Sequence, residues 1–128
     1  MKYLGIDYGT KRVGTAMSDD EGFMAFPDAV LKNDAKLLEN LREKITKNNI
    51  KKVIVGESKN YKMEDNAIME DIIDLKAVIE ATMEIDVEFQ AEFMTSMQAE
   101  KIQGKNDMID ASAASIILQA YLDSNKNK

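Results

Sequence analysis

The stretch Val53-Ile54-Val55-Gly56 constrains the fold more than any other. A short, continuous apolar run is what a strand buried on both faces requires, because neither side of it meets water. Segments with helical periodicity flank it. Leu37, Leu38, Leu41 and Ile45 form an apolar stripe before it, with Asn33 or Asp34 as a cap and Asn48-Asn49 as the stop. After it, a helix from about Asp65 to Met83 places Ile68, Ile72, Leu75 and Ile79 on one face, widened by Met69 and Ile73. A doubly buried strand between two amphipathic helices implies a sheet with helices packed on it.

The remaining strands follow from other patterns. Tyr3, Leu4 and Ile6 form a short strand, Gly9-Thr10 a tight reversal with Gly9 free to take positive φ, and Val13 to Met17 the return strand. Ser18 to Gly22 is a turn cluster, and Phe23 to Phe26 a third short antiparallel strand closed by Pro27. Ile85, Val87, Phe89, Ala91 and Phe93 alternate with Asp86, Glu88, Gln90 and Glu92, the period of a strand wet on one side at a sheet edge. Thr95 and Ser96 can cap a further helical turn, and Gln98 sits three residues after Thr95 as in a capping box. Gly104 to Asp107 is a break, a last helix runs from about Met108 to Leu122, and Ser124 to Lys128 is a polar tail. The expected order is β-β-β-α-β-α-β-α, a mixed five-stranded α/β sheet in a single domain spanning 1–128.

Composition narrows the chemistry. The chain has no cysteine and no histidine, which removes thiolate and imidazole metal sites, cysteine nucleophiles and Ser-His-Asp triads. Catalysis must then rest on carboxylates, lysines, hydroxyls or a bound metal. The net charge of −6 argues against sequence-blind nucleic-acid binding over the whole surface, while leaving room for a local basic face. There is no apolar stretch long enough for a membrane span and no secretory pattern at the N-terminus, so no membrane partner and a cytoplasmic location are expected.

Asp7 stands at the end of an apolar strand, where a carboxylate is costly unless a cation or a hydrogen-bond network receives it. Asp110 sits in the first turn of the last helix, with the small Ala113 and Ala114 on its face, so that helix can press Asp110 towards the strand of Asp7. A capping role for Asp7 and a helix-dipole role for Asp110 are the bland alternatives. Glu57 and Glu92 are candidates for a third acid. Converging carboxylates repel, and a hard divalent cation such as Mg²⁺ or Mn²⁺ relieves the conflict. Two such ions roughly 3.5–4 Å apart can activate water and stabilise the leaving oxygen of a phosphodiester.

Gly5-Ile6-Asp7-Tyr8-Gly9-Thr10-Lys11-Arg12-Val13-Gly14, with Ala16 and Ser18-Asp19, resembles the first motif of the YqgF/RuvX family. Ile109-Asp110-Ala111-Ser112-Ala113-Ala114 and the residues to Leu122 resemble that family's last helix. The resemblance covers essentially the whole chain, and the two motifs together are specific. It implies an RNase H-like fold and a nuclease of the kind described as a Holliday junction resolvase or a pre-16S rRNA processing enzyme.

By resemblance the metal-binding and catalytic acids are Asp7, Glu92 and Asp110, with Glu57 and Asp107 in reserve. The implied cofactor is Mg²⁺ or Mn²⁺, and the implied partner is precursor rRNA or branched DNA. Ribosomal particles are a further implied partner, with the protein a monomer or weak homodimer. Lys11, Arg12, Lys59, Lys62, Lys101 and Lys105 are the cations that can rim the site, with Thr95 a hydroxyl beside them.

The middle of the chain departs from the pattern. Gly56-Glu57-Ser58 lacks the family's Pro, and Ala91-Glu92-Phe93-Met94-Thr95-Ser96 keeps the Glu and the hydroxyls without the family's Asp and Arg. A second reading is therefore a nucleic-acid or ribosome-binding module of the same fold with weakened catalysis. The Gly-Ile-Asp-x-Gly-Thr opening also resembles the phosphate-binding start of sugar-kinase and actin-like ATPases, which need two such domains where this chain has room for one.

Overall fold

The computed structural model describes residues 1–57, 69–91 and 109–126. Five strands form one sheet in the order β3-β2-β1-β4-β5: β1 Tyr3–Tyr8, β2 Arg12–Ser18, β3 Ala25–Lys32, β4 Lys52–Glu57 and β5 Asp86–Ala91. The first three are antiparallel neighbours, whereas β4 lies parallel to both β1 and β5. Helices α1 (Leu37–Lys47), α2 (Met69–Met83) and α3 (Ile109–Lys126) complete the described elements. This is the expected mixed five-stranded architecture.

The two faces of the sheet pack against different helices. Leu4, Ile6 and Val13, with Val53, Val55 and Val87, pack with Leu37, Leu41 and Ile45 of α1 and Ile72, Leu75 and Ile79 of α2. The opposite face carries Ala16 and Ile54, which pack with Ala114, Ile117, Leu118, Tyr121 and Leu122 of α3. Alternation along each strand produces this split, since Leu4 and Ile6 point one way and Gly5 and Asp7 the other. The fourth strand is buried on both sides, as its unbroken apolar run requires: Val53, Ile54 and Val55 are all fully buried. The fifth strand is an edge with Val87 inside and Glu88 outside.

Three boundaries differ from expectation. The third strand does not close at Pro27; it starts at Ala25 and runs through Pro27 to Lys32. As an edge strand it tolerates a residue with no N–H, and the register slips by one residue beside it. Ala16 pairs with Pro27 and Thr15 with Ala29, leaving Asp28 as the extra residue of a β-bulge. Its carboxylate accepts from Thr15 Oγ1 at 2.9 Å and from Lys44 Nζ at 2.8 Å, fastening the edge strand to α1. The last helix continues to Lys126, so Ser124 to Lys126 are helical rather than tail, and Ser124 Oγ donates to the Ala120 carbonyl. Neither Asn33 nor Asp34 is the N-cap of α1, which is Lys36 without a side-chain cap bond; Asp34 Oδ1 instead accepts from the Lys36 N–H at 2.9 Å. Asn48 does end α1, and Asn49 follows in the left-handed region at φ 54°.

At the end of the sheet away from Asp7, Lys52 joins β4, β5 and α3. Its Nζ lies 2.8 Å from Glu88 Oε1 and 5.4 Å from the centre of the Tyr121 ring. Burial would pull this ammonium's pKa down, but hydrogen bonds to Glu88 and Tyr121 outweigh it and hold the pKa above its ordinary value.

Candidate active site

Asp7 lies one residue before the end of β1 and is only 8% exposed. It shares its strand face with Gly5, and a Cβ on Gly5 would meet Leu118 Cβ at 2.8 Å and the Ala114 carbonyl at 3.0 Å, so this is the α3 face. In the antiparallel register Asp7 stands opposite Gly14. A Cβ on Gly14 would come within 1.9 Å of the Asp110 carbonyl oxygen and 2.8 Å of the Ala111 nitrogen. The first turn of α3 therefore rests directly on the backbone of β2, beside Asp7. Gly14 thus seats the residue Asp110 on the strand opposite Asp7.

The small residues that permit this approach lie on both partners. On the helix, Ala111, Ala113 and Ala114 are buried; on the sheet, Gly5, Gly14 and Ala16 face it. Ala113 and Ala114 are the half visible in a helical pattern. The glycine half is missed when Gly9 and its neighbours are read only as turn formers. Gly9 has no positive φ; its constraint is steric, since a Cβ there would meet the Arg12 carbonyl oxygen at 2.5 Å.

Arg12 opens β2 two residues before Gly14 and so shares its face. Its Nε lies 3.2 Å from Asp110 Oδ2, with side chains 65% and 29% exposed respectively. Lys11 is exposed in the adjoining turn. Asn33 holds that turn: its Nδ2 donates to the Gly9 carbonyl at 2.8 Å and its N–H to the Lys11 carbonyl at 3.0 Å. Reading Asn33 as a helix cap overlooked this role, for which the sequence carries no separate signal.

Glu57 ends β4 with the parity of Val53 and Val55, which pack on the α1/α2 side, whereas Gly56 has the parity of the α3 face. Alternation thus sets Glu57 apart from Asp7 and Asp110. Glu92, Asp107, Thr95, Lys59, Lys62, Lys101 and Lys105 lie outside the described residues. Among the described residues no three acids form a metal-binding group. Carboxylates such as those of Asp7 and Asp110 are hard oxygen donors of the kind that Mg²⁺ or Mn²⁺ takes, with further ligands and water completing the shell. A hollow of about 460 Å³ beside Asp28 and Lys44 belongs to the α1 side, and one of about 280 Å³ between α1 and α2 includes Tyr8; the acid pair is part of neither.

The family described as "RuvX: Holliday junction resolvase" matches residues 1–124. This chain belongs to the RuvX family. A relative from Caldanaerobacter subterraneus subsp. tengcongensis is 33% identical over 99% of both chains, and one from Bacillus subtilis is 35% identical over 97% of this chain and 99% of its own. Both carry the name "Putative pre-16S rRNA nuclease". Among solved structures, Thermus thermophilus RuvC in complex with a Holliday junction substrate superposes with a TM-score of 0.67 over 98% of this chain and 96% of its own, at 14% identity. The fowlpox virus resolvase, also solved with junction DNA, reaches a TM-score of 0.60 over 97% of this chain and 98% of its own, at 14% identity. At such identities these likenesses establish the RuvC-like, RNase H-type fold. No described helix of this RuvX chain is long and apolar enough to cross a membrane.

Proposed function

We propose that this RuvX chain is a single-domain, cytoplasmic, divalent-metal-dependent nuclease that hydrolyses phosphodiester bonds in structured nucleic acid. Its substrate is the 5′ region of precursor 16S ribosomal RNA, met free or on ribosomal particles. The observation that carries the proposal is the seating of Asp110 on Gly14, directly across from Asp7. The relatives' name supports the RNA substrate.

Asp7 and Asp110 are proposed as metal ligands, with Glu92 as the third. In the sequence, Glu92 continues the polar alternation of Glu88 and Gln90. Val87 and Phe89, the alternate residues of β5, pack on the α1/α2 side, which supports Glu92 over Glu57. Asp107 lies three residues before Asp110 and is the reserve. When bound, a divalent ion supplies the Lewis acidity that activates a water and stabilises a leaving oxygen. The chain's own part is to hold carboxylates in place and to position phosphate. Lys11 and Arg12 stand at the near rim for that contact, with Lys59, Lys62, Thr95 and Lys105 proposed as further nucleic-acid contacts.

Asp7→Asn is expected to abolish Mn²⁺- or Mg²⁺-dependent cleavage of a precursor 16S RNA while leaving the circular dichroism spectrum intact. Full activity in that variant refutes the site.

The family description favours a second reading, resolution of four-way DNA junctions by the same acids. Parallel assays on precursor RNA and on a four-way junction separate the two. The missing Asp and Arg around Glu92 favour a third, a binding module with weakened catalysis. Salt-sensitive binding without cleavage of either substrate identifies it.

A further inference from the structure

The chain has two arginines, Arg12 and Arg42. Arg42 belongs to α1, whose buried side chains pack on the sheet face opposite α3. Arg12 is thus the guanidinium at the acid site, and it is engaged there: its Nε is 3.2 Å from Asp110 Oδ2. The same carboxylate is a proposed metal ligand, so two cations have a claim on it.

We propose that Arg12 is the resident counter-ion of the acid site and exchanges with the divalent ion: metal loading displaces the guanidinium from Asp110, and the released side chain becomes a phosphate contact. The inference rests on the metal-nuclease reading above and adds an order of events to it. Three observations carry it. Asp7 is nearly buried opposite Gly14, and the first turn of α3 seats Asp110 on Gly14, so the guanidinium that holds Asp110 stands where the metal is proposed to bind. The Arg12 side chain is 65% exposed, so its ion pair is weak and gives way to a doubly charged competitor. Arg12 and Gly14 share one face of β2, so the freed guanidinium stays anchored within a strand residue or two of the acids. Its planar fork matches two phosphate oxygens, which a lysine cannot do.

Deleting a positive side chain from a nuclease site should tighten metal binding. Mn²⁺ affinity is measured by electron paramagnetic resonance titration of the full chain, in the wild type, Arg12→Gln, Arg12→Lys and Asp110→Asn. Arg12→Gln is expected to bind Mn²⁺ about two- to fivefold more tightly, the inverse of a weak surface ion pair. Arg12→Lys, which keeps the charge, is expected to stay close to the wild type. In Ca²⁺-loaded protein, binding of a four-way junction or precursor RNA should weaken in Arg12→Gln, with the salt slope reduced by about one. A purely structural role for Arg12 would not raise Mn²⁺ affinity. Unchanged or weaker Mn²⁺ binding in Arg12→Gln overturns the exchange, while a loss of binding in Asp110→Asn still upholds the metal site. Unchanged binding in Asp110→Asn overturns the metal site, and the exchange with it.

Discussion

Gly14 sets how closely the first turn of α3 approaches β2. A methyl group there would sit inside the van der Waals radius of the Asp110 carbonyl, and backbone on both sides leaves nothing flexible to yield. Gly14→Ala should cost about 3 kcal/mol of stability through forced repacking, read as a shift of the urea midpoint. It should also weaken Mn²⁺ binding, because the start of α3 is pushed away from Asp7. An unchanged midpoint would mean the helix does not rest there. Asp19 offers a residue-scale test of a different kind. The Phe23 N–H donates to its Oδ1 at 2.8 Å and the Met24 N–H at 3.2 Å, holding its carboxyl below the ordinary 3.8. A depressed folded pKa stabilises above the unfolded value and fades as pH falls through the folded one. Wild type minus Asp19→Asn stability, measured by thermal melting from pH 6 downward, should therefore be constant near neutrality and shrink below about pH 4. A difference that grows on acidification would contradict this.

At the scale of elements, legibility followed burial. β4 and the stripe of α1 were readable because an unbroken apolar run and a period of 3.6 each admit one environment. The places of Asp7 near a strand end and Asp110 at a helix start were readable because acids there stand out against apolar surroundings. The close approach of α3 to the sheet was half readable: alanines in a helix signal close approach, whereas glycines in strands also signal turns and bulges. The third strand was misjudged because Pro27 reads as a terminator, and only the edge position and the bulge at Asp28 make it admissible. That bulge is testable. Asp28→Ala removes the partner of Lys44, whose side chain is 22% exposed, and one of two acceptors of Thr15 Oγ1. A loss of about 1–2 kcal/mol is expected in chemical denaturation, without a change in Mn²⁺ affinity, because Asp28 fastens the α1 side of the sheet. A change in metal affinity would couple the two faces in a way the packing does not provide.

For the whole molecule, the sheet works as a partition. One face is filled by large side chains beneath α1 and α2; on the other, Gly5, Gly14 and Ala16 let α3 lie close. The proposed site lies where the close-lying helix begins and the first strand ends. With an overall charge of −6, the proposed nucleic-acid contact falls to local cations such as Lys11 and Arg12 rather than to the surface at large. The most direct test is anomalous diffraction from crystals soaked in Mn²⁺. A peak shared by carboxylate oxygens of Asp7 and Asp110, each within about 2.0–2.6 Å, is the predicted result. An ordered Mn²⁺ elsewhere, with the Asp7 and Asp110 carboxylates directed to opposite sides of the sheet, would contradict the account.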